Sequence, residues 1–261
     1  AAYNLRQVAN ILRDQKQYVQ AIQYYEEAIK LLQGSQNTNN LASIYHSLAL
    51  LYKQTGQLEV ALRYGNMALS LKQKGGRIKR QVTSAMLVAE LYHITNQYAA
   101  CLDLCREYLP WADQLHYDIA ISKMAFLAAM SAHRLGAKEE ALLFLKKGDA
   151  AIVQLTTLEV MPAAYQLATE AYAQLGLYQQ AYQYQVKFQH VQDSIFSMEK
   201  SKAIAETEAR YETEKKEHRI AALAKENQIK ATQQYALLGC LALLAAFATA
   251  LWFNARTRQR H

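Results

Sequence analysis

The sequence predicts an all-α solenoid of five helical hairpins on one forty-residue period, followed by a long helix running into one transmembrane helix. Three observations predict this. The 261 residues include only two Pro and nine Gly, so residues that break helices are scarce. A small residue recurs at Ala21, Ala61, Cys101, Ala141 and Ala181, each forty residues after the last. Finally, Tyr235 to Phe253 is a run of nineteen residues with no charge, no Pro and a single Gly.

The hairpins come first. Five residues before each small residue stands a turn position: Lys16, Gly56, Asn96, Gly136 and Gly176. Gly or Asn there supplies the left-handed backbone that ends a first helix. Two residues later come Tyr18, Leu58, Tyr98, Lys138 and Tyr178; four before the turn stand Leu12, Tyr52, Tyr92, Ala132 and Tyr172. Small residues let the paired helices approach, and aromatics fill the gap to the next hairpin. Cys101 and Cys105 share one helix face at packing positions, which fits small apolar side chains better than a disulfide.

These residues resemble the tetratricopeptide repeat (TPR). Leu48 to Leu69, LALLYKQTGQLEVALRYGNMAL, follows the family's small–aromatic–Gly–Ala–Ala framework, and Leu167 to Ala181, LATEAYAQLGLYQQA, follows its first half. The period of forty, against about thirty-four in the family, calls for longer helices. Gln185 at an expected apolar position marks the last hairpin as specialised. The resemblance covers residues 1–194 and implies that the first helix of each hairpin lines a concave face. That face would carry Arg6, Asn10 and Arg13, then His46, Leu50 and Lys53. Met86, Glu90 and His93 follow, then Phe126, Met130 and His133, then Gln166 and Glu170. A mixed apolar and polar lining suits a peptide or protein ligand. Arg6 and Asn10 echo the family's clamp for C-terminal carboxylates. Ser47 and Thr83 stand where that clamp has Asn and Lys, so the clamp is not carried over.

The formal charge of +7 is spread along the chain: residues 1–198 hold 18 Lys/Arg against 15 Asp/Glu, residues 199–230 hold 8 against 7. It gives no case for nucleic acid binding through this region. The one cluster, Lys72, Lys74, Arg77, Lys79 and Arg80 around Gly75 and Gly76, reads as a solvated turn between repeats, with an anionic partner as the alternative. His93 and His133 are equivalent in adjacent repeats, but helices packed about 8–10 Å apart hold them too far apart to share a metal. No phosphate-cradling loop, HExxH motif or nucleophile elbow is present, so no catalytic residue, metal or cofactor is expected.

The long helix follows. Glu199 to Gln234 contains no Gly or Pro, and Glu206–Arg210, Glu212–Lys216 and Glu226–Lys230 set acid four residues before base. Its heptad seam is poor: Ile204 and Tyr211 are followed by His218, while Ile220 and Leu223 change register. That favours a weak or ligand-dependent coiled coil over residues 195–234. QDSIF (Gln192–Phe196), then ARYETEKKEHRIAAL (Ala209–Leu223), then an apolar run resemble bacterial TPR-containing sensor histidine kinases over about residues 188–258. The resemblance implies exported repeats joined through a helix and a single span to a cytoplasmic output.

The apolar run 235–253 would be about 28 Å long as a helix, close to a bilayer's hydrocarbon thickness. Tyr235 and Trp252 flank it at headgroup level, Cys240 lies within it, and Arg256, Arg258 and Arg260 follow in a basic tail, 254–261. The basic tail, together with what the sensor-kinase resemblance implies, would place the C-terminus in the cytoplasm and the repeats outside, anchored in the inner membrane. Ala242, Ala246 and Ala250 recur every four residues, a face for homodimerisation within the membrane. The expected function is the protein- or peptide-binding sensory portion of a TPR-type receptor. A membrane-anchored TPR scaffold with cytosolic repeats, or a receptor with a helix-turn-helix output, are the alternatives.

Overall fold

The computed structural model describes residues 1–33, 37–75 and 77–258; the side chains of 236, 240, 242–248 and 250–258 lie outside that description. The described residues form ten helices paired into five hairpins: α1 (Ala2–Asp14) with α2 (Tyr18–Leu32), and α3 (Thr38–Gln54) with α4 (Leu58–Lys74). Then come α5 (Ile78–Ile94) with α6 (Tyr98–Gln114), α7 (Asp118–Arg134) with α8 (Lys138–Ile152), and α9 (Met161–Gln174) with α10 (Tyr178–Arg258). The chain divides into two units, Ala1–Ile195 and Phe196–His261.

Each hairpin turn is built the same way. Lys16, Gly56, Asn96, Gly136 and Gly176 have φ of 62°, 77°, 61°, 81° and 75°. The following amide reaches back five residues: Gln17 to the Leu12 carbonyl at 2.8 Å, Gln57 to Tyr52 at 2.9 Å, Gln97 to Tyr92 at 2.8 Å. Ala137 to Ala132 and Leu177 to Tyr172, both 2.9 Å, complete the set. This is the Schellman arrangement, in which a left-handed residue turns the chain and satisfies carbonyls at the helix end. His116, at φ 47°, makes a sixth such turn between α6 and α7, with Tyr117 N–H on the Ala112 carbonyl at 3.0 Å.

In the first unit the odd-numbered helices pack on one another in sequence, α1 on α3, α3 on α5, α5 on α7 and α7 on α9, forming one row. Ala21, Ala61, Cys101 and Ala141 are fully buried where the helices of a hairpin meet, and Ala181 is nearly so. Tyrosines pair between the two helices of a hairpin at one register, rather than with the next hairpin: Tyr52 stacks on Tyr64 with centroids 5.6 Å apart, and Tyr172 on Tyr184 at 5.5 Å. The hydroxyls of Tyr172 and Tyr184 both donate to the Asp149 carboxylate, on Oδ2 and Oδ1. Burial first, then Asp149, holds both phenols above their ordinary range.

In the second unit, every residue from Phe196 to Lys230 is exposed. Glu226 pairs with Lys230 at 2.7 Å as expected, while Glu206 turns to Lys202 at 4.0 Å. The expected transmembrane helix is corrected here. Among the described residues no helix is long and apolar enough to cross a membrane. A span needs about 20 consecutive apolar residues. Charged side chains recur along α10 as far as Lys230, and most of the expected run, Tyr235 to Phe253, falls on residues whose side chains lie outside that description. The single-pass inner-membrane placement and its topology fall with the span. The proposed dimer face, Ala242, Ala246 and Ala250, and Cys240 lie outside the described side chains.

Candidate functional site

A cleft of about 450 Å³ opens on the odd-helix row of the last three hairpins. Met86 and Glu90 come from α5, Ile119 and Lys123 from α7, and Gln166, Leu167 and Glu170 from α9. The connection between α8 and α9 closes one side with Leu155, Glu159 and Val160. α5 and α9 line it from equivalent repeat positions, Met86 with Gln166 and Glu90 with Glu170, whereas α7 contributes Ile119 and Lys123 from nearer its N-terminus.

Glu90 organises the middle of this surface. Its carboxylate takes Lys53 at 2.5 Å and Lys123 at 2.8 Å, linking α3, α5 and α7. Burial pushes its carboxyl pKa up, but the two lysines outweigh burial and hold it below the usual value. His93 Nδ1 lies 3.0 Å from the Ser131 hydroxyl, with its ring edge-on to Tyr98. Burial lowers its pKa, against the pull of Glu170. His133 is half-buried nearby. Among the described residues no group of His, Cys, Asp or Glu could hold a metal ion.

The first two hairpins present a different surface. Asn10 accepts from the Tyr25 hydroxyl at 2.7 Å, and Arg13 pairs with Asp14 at 2.8 Å. Arg6 lies half-buried, its guanidinium 5.2 Å from the Tyr3 ring centre and its Nε buried without a hydrogen-bond partner. Leu50 packs on the core. His46 Nδ1 faces the Ser84 hydroxyl at 3.3 Å. Burial, then Lys72 and Arg13, bring the His46 imidazole down to about 3. Lys72 is not on a solvated turn. It is 8 % exposed and donates to Ser84 Oγ at 2.6 Å, whereas Lys74, Arg77, Lys79 and Arg80 are exposed. Residues 1–80 hold 11 Lys/Arg against 4 Asp/Glu and residues 81–195 hold 7 against 11, so the array is basic at one end and acidic at the other.

The structure therefore brings Met86, Glu90, Gln166 and Glu170 together in the cleft, and sets Arg6, Arg13 and His46 at the basic end. Phe126 and Met130 do not reach the surface: both are fully buried. Gly148 of α8 lets α7 approach so closely that a Cβ there would meet the Phe126 ring at 2.7 Å. Ile119, Lys123, Leu155, Glu159, Val160, Lys72 and Ser84 escaped the sequence reading. For Lys72 a signal existed: eleven residues after each of the first four small residues stand Leu32, Lys72, Ala112 and Ile152, all buried.

The profile of the tetratricopeptide repeat family matches residues 1–74. Solved structures extend the similarity in fold. A putative kinesin light chain of Podosopora anserina with nearly identical TPR-like repeats superposes with a TM-score of 0.57 at 16% identity, over 75% of this chain and 96% of its own. A Rap protein in complex with competence and sporulation factor gives 0.59 at 19%, over 73% of this chain and 53% of its own. The apo form of RapI gives 0.61 at 16%, over 77% and 73%. No curated protein sequence matches the chain. Residues 1–74 thus match the tetratricopeptide repeat family, and in fold the chain has an all-α, TPR-like solenoid. The family match ends at residue 74, and similarity at these identities shows fold alone. Neither shows the sensor-kinase resemblance of residues 188–258.

Proposed function

We propose that the odd-helix face binds an extended or helical segment of a protein partner, with side chains entering the cleft between α5, α7 and α9. The observation that carries this reading is the cleft itself, an apolar floor of Met86, Ile119, Leu155, Val160 and Leu167 rimmed by Glu90, Lys123, Glu159 and Glu170. An apolar pocket with a few charged groups at its edge takes an anchoring side chain and orients what flanks it. The Rap protein solved with competence and sporulation factor supports the reading by its shared fold. The sensor-kinase resemblance of Gln192–Phe196 and Ala209–Leu223 supports a signalling role for the chain. The exposed Phe196, Met198, Ile204, Tyr211, Ile220 and Leu223 are the residues on α10 that a second protein would cover.

A displayed peptide library panned on the full chain tests the groove. Selected peptides should lose about tenfold or more in affinity for Ile119→Glu, which puts a charge on the cleft floor. They should keep their affinity for Leu143→Glu on the opposite row, where Leu143 is 66% exposed. Loss with Leu143→Glu and indifference to Ile119→Glu would move the binding surface to the outer helices.

A further inference from the structure

Among the described residues, Lys72 is a buried cation with no counter-charge. Its ammonium carries three donors, and among the described residues the contact it makes is with the Ser84 hydroxyl. That hydroxyl accepts from Lys72 and can turn its own proton toward His46 Nδ1, whose imidazole is neutral. The charged groups acting on Lys72 are Arg80 and Arg6, both positive. Those acting on His46 are Lys72 and Arg13. Among the described residues no acidic group acts on Lys72 or His46, and Asp14 is engaged by Arg13.

The contrast with the Glu90 cluster is direct. There, Lys53 and Lys123 share Glu90. Arg6, whose buried Nε has no hydrogen-bond partner among the described residues, adds a second cation acting on Lys72. Leaving a buried charge unpaired is costly, and the cost is recovered when an anion arrives. Burial, then Arg80 and Arg6, bring the Lys72 amine down to about 8, which leaves it mainly charged at neutral pH.

We infer that Lys72 and Ser84, flanked by Arg6 and Arg80, form a subsite for the carboxylate of an acidic side chain carried by the segment that lies in the groove. The inference rests on the groove reading for its occupant and deepens it by giving the segment a direction. The acidic side chain lies over the first two hairpins, and the anchoring apolar side chain lies in the cleft of the last three. The subsite is distinct from the clamp for C-terminal carboxylates, since Lys72 comes from the second helix of its hairpin and Ser84 from α5.

The test uses the full chain and two labelled peptides, one alternating Leu with Glu and one alternating Leu with Gln, with inorganic phosphate as competitor at constant ionic strength. The Glu peptide should bind about tenfold tighter than the Gln peptide. Lys72→Met should abolish that preference while leaving the Gln peptide's affinity unchanged; circular dichroism confirms that the variant is folded. Equal binding of both peptides, or a preference that survives Lys72→Met, overturns the subsite and leaves the groove standing. Displacement of the Glu peptide by phosphate at similar concentration, dependent on Lys72, reassigns the subsite to a free anion and overturns the side-chain assignment. If neither peptide binds, the subsite is overturned, and the library selection with Ile119→Glu decides the groove separately.

Discussion

Burial at single positions sets the pH behaviour of the array. His46 is held neutral, its pKa brought from 6.5 to about 3 by burial and then by Lys72 and Arg13. The unfolded chain binds a proton there that the folded chain does not, so stability falls as pH drops from about 6.5 toward about 3. His46→Gln keeps an acceptor for Ser84 and should flatten that part of a pH–unfolding profile, as measured by urea midpoints. Lys72 acts on the alkaline side: between about 8 and 10.5 the unfolded chain binds the extra proton, and stability rises with pH. Sequence reading missed Lys72 because its basic neighbours mimic a solvated turn, although its repeat position is a core one. It also misassigned Phe126, which occupies the register of His46 and Met86 but is drawn inward because Gly148 leaves room for its ring. Gly148→Ala should cost about 1–3 kcal/mol by overpacking against that ring, read as a lowered unfolding midpoint. An unchanged midpoint would mean that the ring gives way freely.

At the scale of elements, the turns were the most legible part of the chain. A recurring Gly, or its substitutes Lys16 and Asn96, five residues before a small residue gave the position of every hairpin turn, because the left-handed geometry restricts what can stand there. A Cβ at Gly56 would meet nothing within 4 Å, so the cost of Gly56→Ala is the backbone conformation alone, about 1–2 kcal/mol. The reverse exchange, Lys16→Gly, should stabilise by up to about 1 kcal/mol, read by the same denaturant midpoints. The junction of α8, α9 and α10 depends on a feature that periodicity does not reveal. Asp149 accepts from Tyr172 and Tyr184, so Asp149→Ala strands two nearly buried hydroxyls and should cost about 2–3 kcal/mol. The apolar run at 235–253 misled through its composition: hydropathy along a sequence nominates a span, but the described residues contain no helix long and apolar enough to be one.

Across the whole chain, an even period made the fold legible while an uneven charge distribution was hidden. Summed charge is nearly balanced over residues 1–198, yet 11 of the 18 Lys/Arg lie in the first 80 residues. Folding stacks these residues at one end of the odd-helix row, with the acid-rimmed cleft toward the other. The α5 and α9 sides of the cleft were readable from the repeat, because Met86 and Gln166, and Glu90 and Glu170, stand at equivalent positions; the α7 side was not. The cleft's closing side was not, because Leu155, Glu159 and Val160 come from a connection with no repeat position. The central claim is that a partner segment lies on the odd-helix face. Its most direct measurement is site-specific photo-crosslinking in the full chain, with benzoylphenylalanine at Glu159 on the cleft rim or at Leu143 on the outer row, against a library-selected peptide. The account predicts a crosslinked product from the Glu159 position and none from Leu143. Crosslinking from Leu143 with none from Glu159 would contradict it.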